Sequence, residues 1–252
     1  MSVIKLIISD IDGTVLDQKH QLDSHLLELM PLLKQSEIPF VLASARSPLG
    51  IAPISKELGI TDFPIASYNG ALISKGDKIL SQHTINKNEL LLLHDFLTKE
   101  FPTVSINVYS GKNWYVNALD KWVEIEAQIT GESPKVTSLA DFLQEEKNLI
   151  HKLLLIDNAA TIQKLKETLA TIDFPQTDFY LSKDNYLEVT HNQVSKKQAL
   201  LELANYYQLS LTEIMSIGDN YNDIPMIETA GLGVAMGNAP TDVKVCANKV
   251  TD

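Results

Sequence analysis

Residues Val3 to Ser9 are nearly all apolar and run straight into Asp10, leaving almost no position to face water. A segment this short and this continuously apolar fits a strand covered on both faces, as in parallel sheets packed between helices. It is too short to span a membrane and lacks the flanks of a signal peptide. The pattern recurs: Pro39-Phe40-Val41-Leu42-Ala43 meets Ser44, Ile214-Met215-Ser216-Ile217 meets Gly218-Asp219, and Leu232-Gly233-Val234-Ala235-Met236 forms another run. Helical patterns lie between them. Asp23 or Ser24 can cap a helix carrying Leu26, Leu27, Met30 and Leu33, which Pro31 should kink or shorten. A second helix starts at Pro48 and runs towards Leu58, and Lys196 to Tyr207 sets Ala199, Leu200, Leu203 and Ala204 on one face. Repeated strand–helix units predict an α/β fold, a Rossmann-like parallel sheet with helices on both faces.

Phe63 to Tyr68 reads as a third strand, and Asn69-Gly70 as a turn into the pair Ala71-Leu72-Ile73 and Lys78-Ile79-Leu80. The middle changes character. A leucine-rich helix begins near Asn88, then Val104 to Tyr109 and Trp114 to Val116 alternate like antiparallel strands with one wet face. A helix with Trp122 and Ile125, a strand at Leu153 to Ile156, a helix from Thr161 to Leu169 and strands near Phe179 and Leu187 follow. This predicts an α+β domain at residues 82–186, inserted into a core made of 1–81 and 187–252.

Composition narrows the partners. The chain has 252 residues, 44% hydrophobic and 21% charged, which suits a folded protein with a sizeable core. Its formal net charge of −11 argues against nucleic acid and anionic membranes, which an acidic surface repels. A single cysteine, Cys246, rules out an internal disulfide and fits a reducing cytosol.

Four clusters carry chemistry. Asp10-Ile11-Asp12-Gly13-Thr14 puts two carboxylates at the C-terminal end of a buried strand, where open α/β sheets bind ligands. Such proximity makes ionising both costly unless a cation offsets it. Ser44-Ala45-Arg46 offers a hydroxyl and backbone N–H groups that can hold a phosphate oxygen. Lys196 opens a helix after Val194-Ser195. Gly218-Asp219-Asn220-Tyr221-Asn222-Asp223 adds two carboxylates and two amides after another strand, oxygen-rich donors of the kind Mg²⁺ prefers. Taken singly, each has a plainer reading: a strand-end turn, a helix cap, a solvated lysine, a polar loop.

Together and in this order, the clusters resemble the haloacid dehalogenase-like hydrolases, and within them the Cof-type phosphatases. That pattern is Asp-x-Asp-Gly-Thr, a Ser or Thr after the second strand, a Lys, and Gly-Asp-x-x-Asn-Asp; Asn69-Gly70-Ala71 matches a further stretch. Ser44-Ala45 stands where the family has Thr-Gly, so the Ala45 methyl narrows the backbone approach. Cof-type chains usually continue past Val250-Thr251-Asp252 into a final short segment, so the resemblance implies a truncated or a short natural form here.

The resemblance implies a cytoplasmic, Mg²⁺-dependent phosphatase acting on small phosphorylated metabolites, sugar phosphates first, as a monomer or weak homo-oligomer. By the same analogy Asp10 is the nucleophile and Asp12 the acid–base group. Mg²⁺ sits between the Asp10 carboxylate, the Asp12 carbonyl and Asp219, and Asp223 orients metal-bound water or Lys196. Ser44, the Ala45 N–H, Lys196 and Asn222 hold the phosphoryl oxygens, and 82–186 is the cap that selects substrate. Asn69 and His191 are expected as contacts from the core side. A phosphomutase-type transferase, a signalling receiver domain and a non-catalytic phosphate-binding protein are the rivals; receiver domains are much shorter, and the intact catalytic set argues against pure binding.

Overall fold

The computed structural model describes residues 3–17 and 19–252. The chain divides into two compact units, Met1–Gln82 with Val194–Asp252, and His83–Gln193. The first unit opens with β1 (Leu6–Ser9), α1 (Ser24–Gln35), β2 (Phe40–Ala43), α2 (Pro48–Glu57), β3 (Ile65–Ser67), β4 (Leu72–Lys75) and β5 (Lys78–Gln82). The second contains α3 (Lys87–Glu100), β6 (Ser105–Ser110), β7 (Asn113–Val116), α4 (Lys121–Thr130), β8 (Lys135–Val136), α5 (Leu139–Gln144), β9 (Lys152–Ile156), α6 (Ala159–Leu169), β10 (Thr177–Lys183) and β11 (Tyr186–His191). The first unit resumes with α7 (Lys196–Tyr207), β12 (Ile214–Gly218), α8 (Ile224–Thr229), β13 (Leu232–Ala235), α9 (Thr241–Val245) and β14 (Lys249–Val250).

The first unit's strands form one sheet in the order β14-β13-β12-β1-β2-β3-β4-β5. The strands from β14 to β3 are parallel, and β4 and β5 turn back antiparallel. β1 lies between β12 and β2, with Leu6 opposite Ile214 and Ser9 opposite Leu42. Its apolar run is explained by what covers it. Leu6 and Ile8 pack with Val41, Ala199, Leu200 and Leu203 on the α7 side, and Ile7 packs with Met30, Ile51 and Ile54 on the α1–α2 side. Each such side chain contributes about 1.5–3 kcal/mol by leaving water.

Asp23 caps α1, its carboxylate accepting from His25 N at 2.7 Å, and Ser47 caps α2 just before Pro48. Pro31 does not shorten α1, which runs on to Gln35. The proline lies on the exposed side, where water can satisfy the carbonyl its missing N–H leaves behind.

The second unit builds a sheet in the order β10-β11-β9-β6-β7-β8, antiparallel except for the β7–β8 pair. Leu90, Leu93 and Leu97 of α3, Ile162 and Leu165 of α6, and Leu153, Leu155, Leu187 and Val189 of the strands share its core. Because β11 pairs with β9 and β10, this unit extends past residue 186 to Gln193. Among the described residues no helix is long and apolar enough to cross a membrane.

Candidate active site

Three neighbouring parallel strands end side by side. β1 delivers Asp10, β2 delivers Ser44 and β12 delivers Asp219, all at the carboxyl edge of the sheet. The Asp10 N–H donates to the Ile217 carbonyl at 2.9 Å, so the sheet ladder continues into the site and fixes the base of the side chain. Beyond Asp12 the chain turns at Gly13, where φ is +86°. A Cβ at Gly13 would collide with Asp219 Oδ2, so glycine serves both the turn and the close approach of the Asp219 carboxylate after β12.

Lys196 is the first residue of α7, whose N-cap Ser195 accepts from Gln198 N at 3.0 Å. Its side chain is 1% exposed, and its Nζ donates to Asp10 Oδ1 and, at 2.5 Å, to Asp223 Oδ1. Burial alone would favour the neutral amine; Asp10 and Asp223 outweigh it, and the pKa is raised. Burial pushes the Asp10 carboxyl up to about 6, against the pull of Lys196. Asp223 is fixed on its other side by Asp219 N and Asn220 N, both donating to Oδ2 at 3.0 Å. Asp219 is half-buried, and burial followed by the charge of Asp223 raises its pKa.

Ligand atoms of Asp10, Asp219 and Asp223 lie within 4.8 Å of one another. Three carboxylates face a single lysine, an imbalance that a divalent cation would correct, and an all-oxygen donor set fits Mg²⁺. The Asp223 oxygens accept from Lys196 and from two amides, so Asp223 is the most fully engaged of the three carboxylates.

The Ser44 loop is held by its neighbour. Asn69 N donates to the Ser44 carbonyl at 2.8 Å and Tyr68 N to the Arg46 carbonyl at 3.0 Å, bracketing Ala45. Tyr68 and Asn69 adopt φ of +54° and +56°, a strained geometry for a buried tyrosine. Asn222 Nδ2 reaches Asn69 Oδ1 at 3.3 Å, which joins two of the predicted residues. The Asp12 carboxylate is 45% exposed and takes a bidentate ion pair from Arg46, Nε to Oδ2 at 2.9 Å and Nη2 to Oδ1 at 2.5 Å. His191 belongs to the second unit. It ends β11 in the second unit, its ring 5.9 Å from that of His83, and so does not belong to the core side where it was expected.

Asn238 was missed. After β13 its Nδ2 donates to the Gly13 carbonyl and to Asp219 Oδ2, both at 3.0 Å, tying three loops together. The signal was present, since Leu232 to Met236 is one more apolar run ending in polar residues. Arg46 lay within a quoted motif yet carried no assigned role.

A family profile described as haloacid dehalogenase-like hydrolase matches residues 7–252. A Haemophilus influenzae protein named "Putative phosphatase" is 34% identical over 249 residues, covering 98% of this chain and 92% of that one. Phosphatase YwpJ of Bacillus subtilis is 29% identical, covering 98% of this chain and 94% of its own. The crystal structure of a haloacid dehalogenase-like hydrolase from Bacteroides thetaiotaomicron superposes with a TM-score of 0.89 at 29% identity, over 98% of this chain and 94% of that one.

Proposed function

The chain belongs to the haloacid dehalogenase-like hydrolases and is a phosphatase of that family, and we propose that it frees phosphate from small phosphorylated metabolites through a covalent aspartyl-phosphate at Asp10. One observation carries this reading: the buried Asp10 carboxylate, at the end of the central strand, is held by the cation of Lys196, two residues before a solvent-facing Asp12. A carboxylate so placed is oriented and kept ionised by its partner, as a nucleophile must be.

In the first step an oxygen of Asp10 forms a bond to phosphorus as the bond to the leaving oxygen breaks. Asp12 gives that oxygen its proton. In the second step Asp12 takes a proton from water, whose oxygen attacks phosphorus and releases Asp10 and inorganic phosphate. Ser44, the Ala45 N–H, Asn222 and Lys196 hold the phosphoryl oxygens, where charge gathers in the transition state. Asp10, Asp219 and the Asp12 carbonyl would hold Mg²⁺, which supplies further neutralisation of those oxygens. Sugar phosphates, expected from the resemblance to Cof-type enzymes, are the first substrates to assay, and the cytoplasm is the proposed compartment.

The test is a phosphate-release panel of sugar phosphates, nucleotides, flavin mononucleotide and pyridoxal phosphate, combined with mass spectrometry of the trapped phosphoenzyme. Phosphate is expected on Asp10, and Asp10→Asn should lose turnover and labelling together. Phosphate on another residue would overturn the mechanism.

A further inference from the structure

Asp12 is the least supported of the charged groups in the site. Its neighbour Asp10 is buried and paired with Lys196, whereas the Asp12 side chain leaves the strand end for solvent. Among the described residues its carboxylate meets Arg46 at both oxygens and His20 at one, the latter at 3.7 Å from an imidazole that is 72% exposed. Two parallel N–H···O bonds from a planar guanidinium fix the position of a carboxylate and also its plane, which a lysine cannot do. The arginine starts from a fixed base, since its N–H donates to Ser44 Oγ at 3.2 Å and its carbonyl accepts from Tyr68 N.

We propose that Arg46 is the positioning residue for Asp12, holding the acid–base carboxylate where it can reach the leaving oxygen and the attacking water. The inference rests on the function proposed above. Stability does not account for the pair: both side chains are a third or more exposed, and exposed ion pairs contribute little to folding. Proton transfer does account for it. A general acid acts only within hydrogen-bond reach of its target, and an error of about 1 Å in a catalytic group can cost roughly 10²-fold in rate. A carboxylate on an exposed, glycine-flanked turn needs an external brace to meet that tolerance.

The experiment compares wild type, Asp12→Asn, Arg46→Met and Arg46→Lys on two esters. One is the alkyl phosphate that the wild type turns over best. The other is 2,4-dinitrophenyl phosphate, whose leaving group departs without a proton. The readout is kcat/KM, which reports formation of the phosphoenzyme and not its hydrolysis, where Asp12 serves both esters alike. Arg46→Met should lower it by roughly 10²-fold on the alkyl ester and by under about tenfold on the aryl ester. Arg46→Lys should recover part of the alkyl activity. Equal losses of kcat/KM on both esters would overturn the inference, and a raised inhibition constant for inorganic phosphate beside them would show the guanidinium gripping phosphate. Circular dichroism and thermal unfolding identify a misfolded Arg46→Met, in which case Arg46→Lys carries the same comparison between esters. Failure of the underlying function looks different, because it appears without touching Arg46: a wild type inert on both esters, or an Asp12→Asn that loses kcat/KM equally on both.

Discussion

Lys196 Nζ stands 2.5 Å from Asp223 Oδ1, with the lysine 1% exposed and the aspartate fully enclosed. A cation and an anion this deeply buried exist only as each other's partners, and here Asp10 makes a third member. Removing one charge strands the others. Lys196→Met should therefore destabilise the metal-free protein by about 3–5 kcal/mol in denaturant titration. It should also lower kcat by roughly 10²–10³-fold, the usual cost of losing one preorganised charge at a phosphoryl group. Unchanged stability would mean that the triad is relaxed by water or by loss of a proton.

Mg²⁺ should be visible without any substrate. An ion held by Asp10 and Asp219 binds the folded chain alone, and at a hundredfold excess over Kd it adds about 2.7 kcal/mol. For a chain of this size that corresponds to a rise in Tm of about 5–10 °C. Asp219→Asn should abolish the rise, and excess EDTA should abolish activity. An equal rise in Asp219→Asn would move the ion elsewhere.

Gly13→Ala separates crowding from backbone strain. At Gly13 a methyl meets the Asp219 carboxylate, whereas at Gly59, where φ is +69°, a methyl meets nothing within 4 Å. Gly59→Ala should cost about 1–2 kcal/mol of stability and leave kcat intact. Gly13→Ala should cost at least as much and also displace Asp219, abolishing the Mg²⁺-dependent rise in Tm. Matching behaviour of the two variants would show that the site tolerates the displacement.

His151 gives the second unit an acid limit. It is buried and accepts a hydrogen bond from Gly111 N at 3.1 Å through Nδ1. Burial lowers its pKa from 6.5 to about 4. The unfolded chain therefore binds this proton more readily, so the stability from His151 is complete above pH 6.5 and is lost as pH falls towards 4. Between pH 7 and 4.5 the loss should be about 2–3 kcal/mol. In His151→Gln the same pH change should cost correspondingly less. Identical pH slopes in urea titrations would refute the assignment.

What could be read from the sequence was whatever local pattern determines. The unbroken apolar run of β1 announced a strand buried on both faces, and each such run pointed to the polar residues at its end, Asp10, Ser44 and Asp219 among them. Asp23 and Pro48 marked helix starts because capping is a local interaction. Elements too short for a period escaped: β8 and β14 have two residues each, and α5 has six. The segment Tyr186 to His191 was legible as a strand, but alternation does not say which sheet a strand joins, so His191 was assigned to the wrong unit. The burial of Lys196 and the pairing of Arg46 with Asp12 depend on partners far along the chain, and no window of sequence contains them.

The pairing of β1 with β12 sets Leu6 beside Ile214, and it has a consequence for synthesis. A ribosome makes β1, β2 and β3 before the whole of His83–Gln193, and only afterwards the strand that completes the centre of the first sheet. The second unit is contiguous in the chain and has a core of its own, so it can close while β1 still presents a bare edge. Asp10 emerges well before Lys196 and Asp223, the partners it meets in the folded site. For most of translation the nascent protein carries an open, apolar strand edge, which is where chaperones and misassembly compete for it.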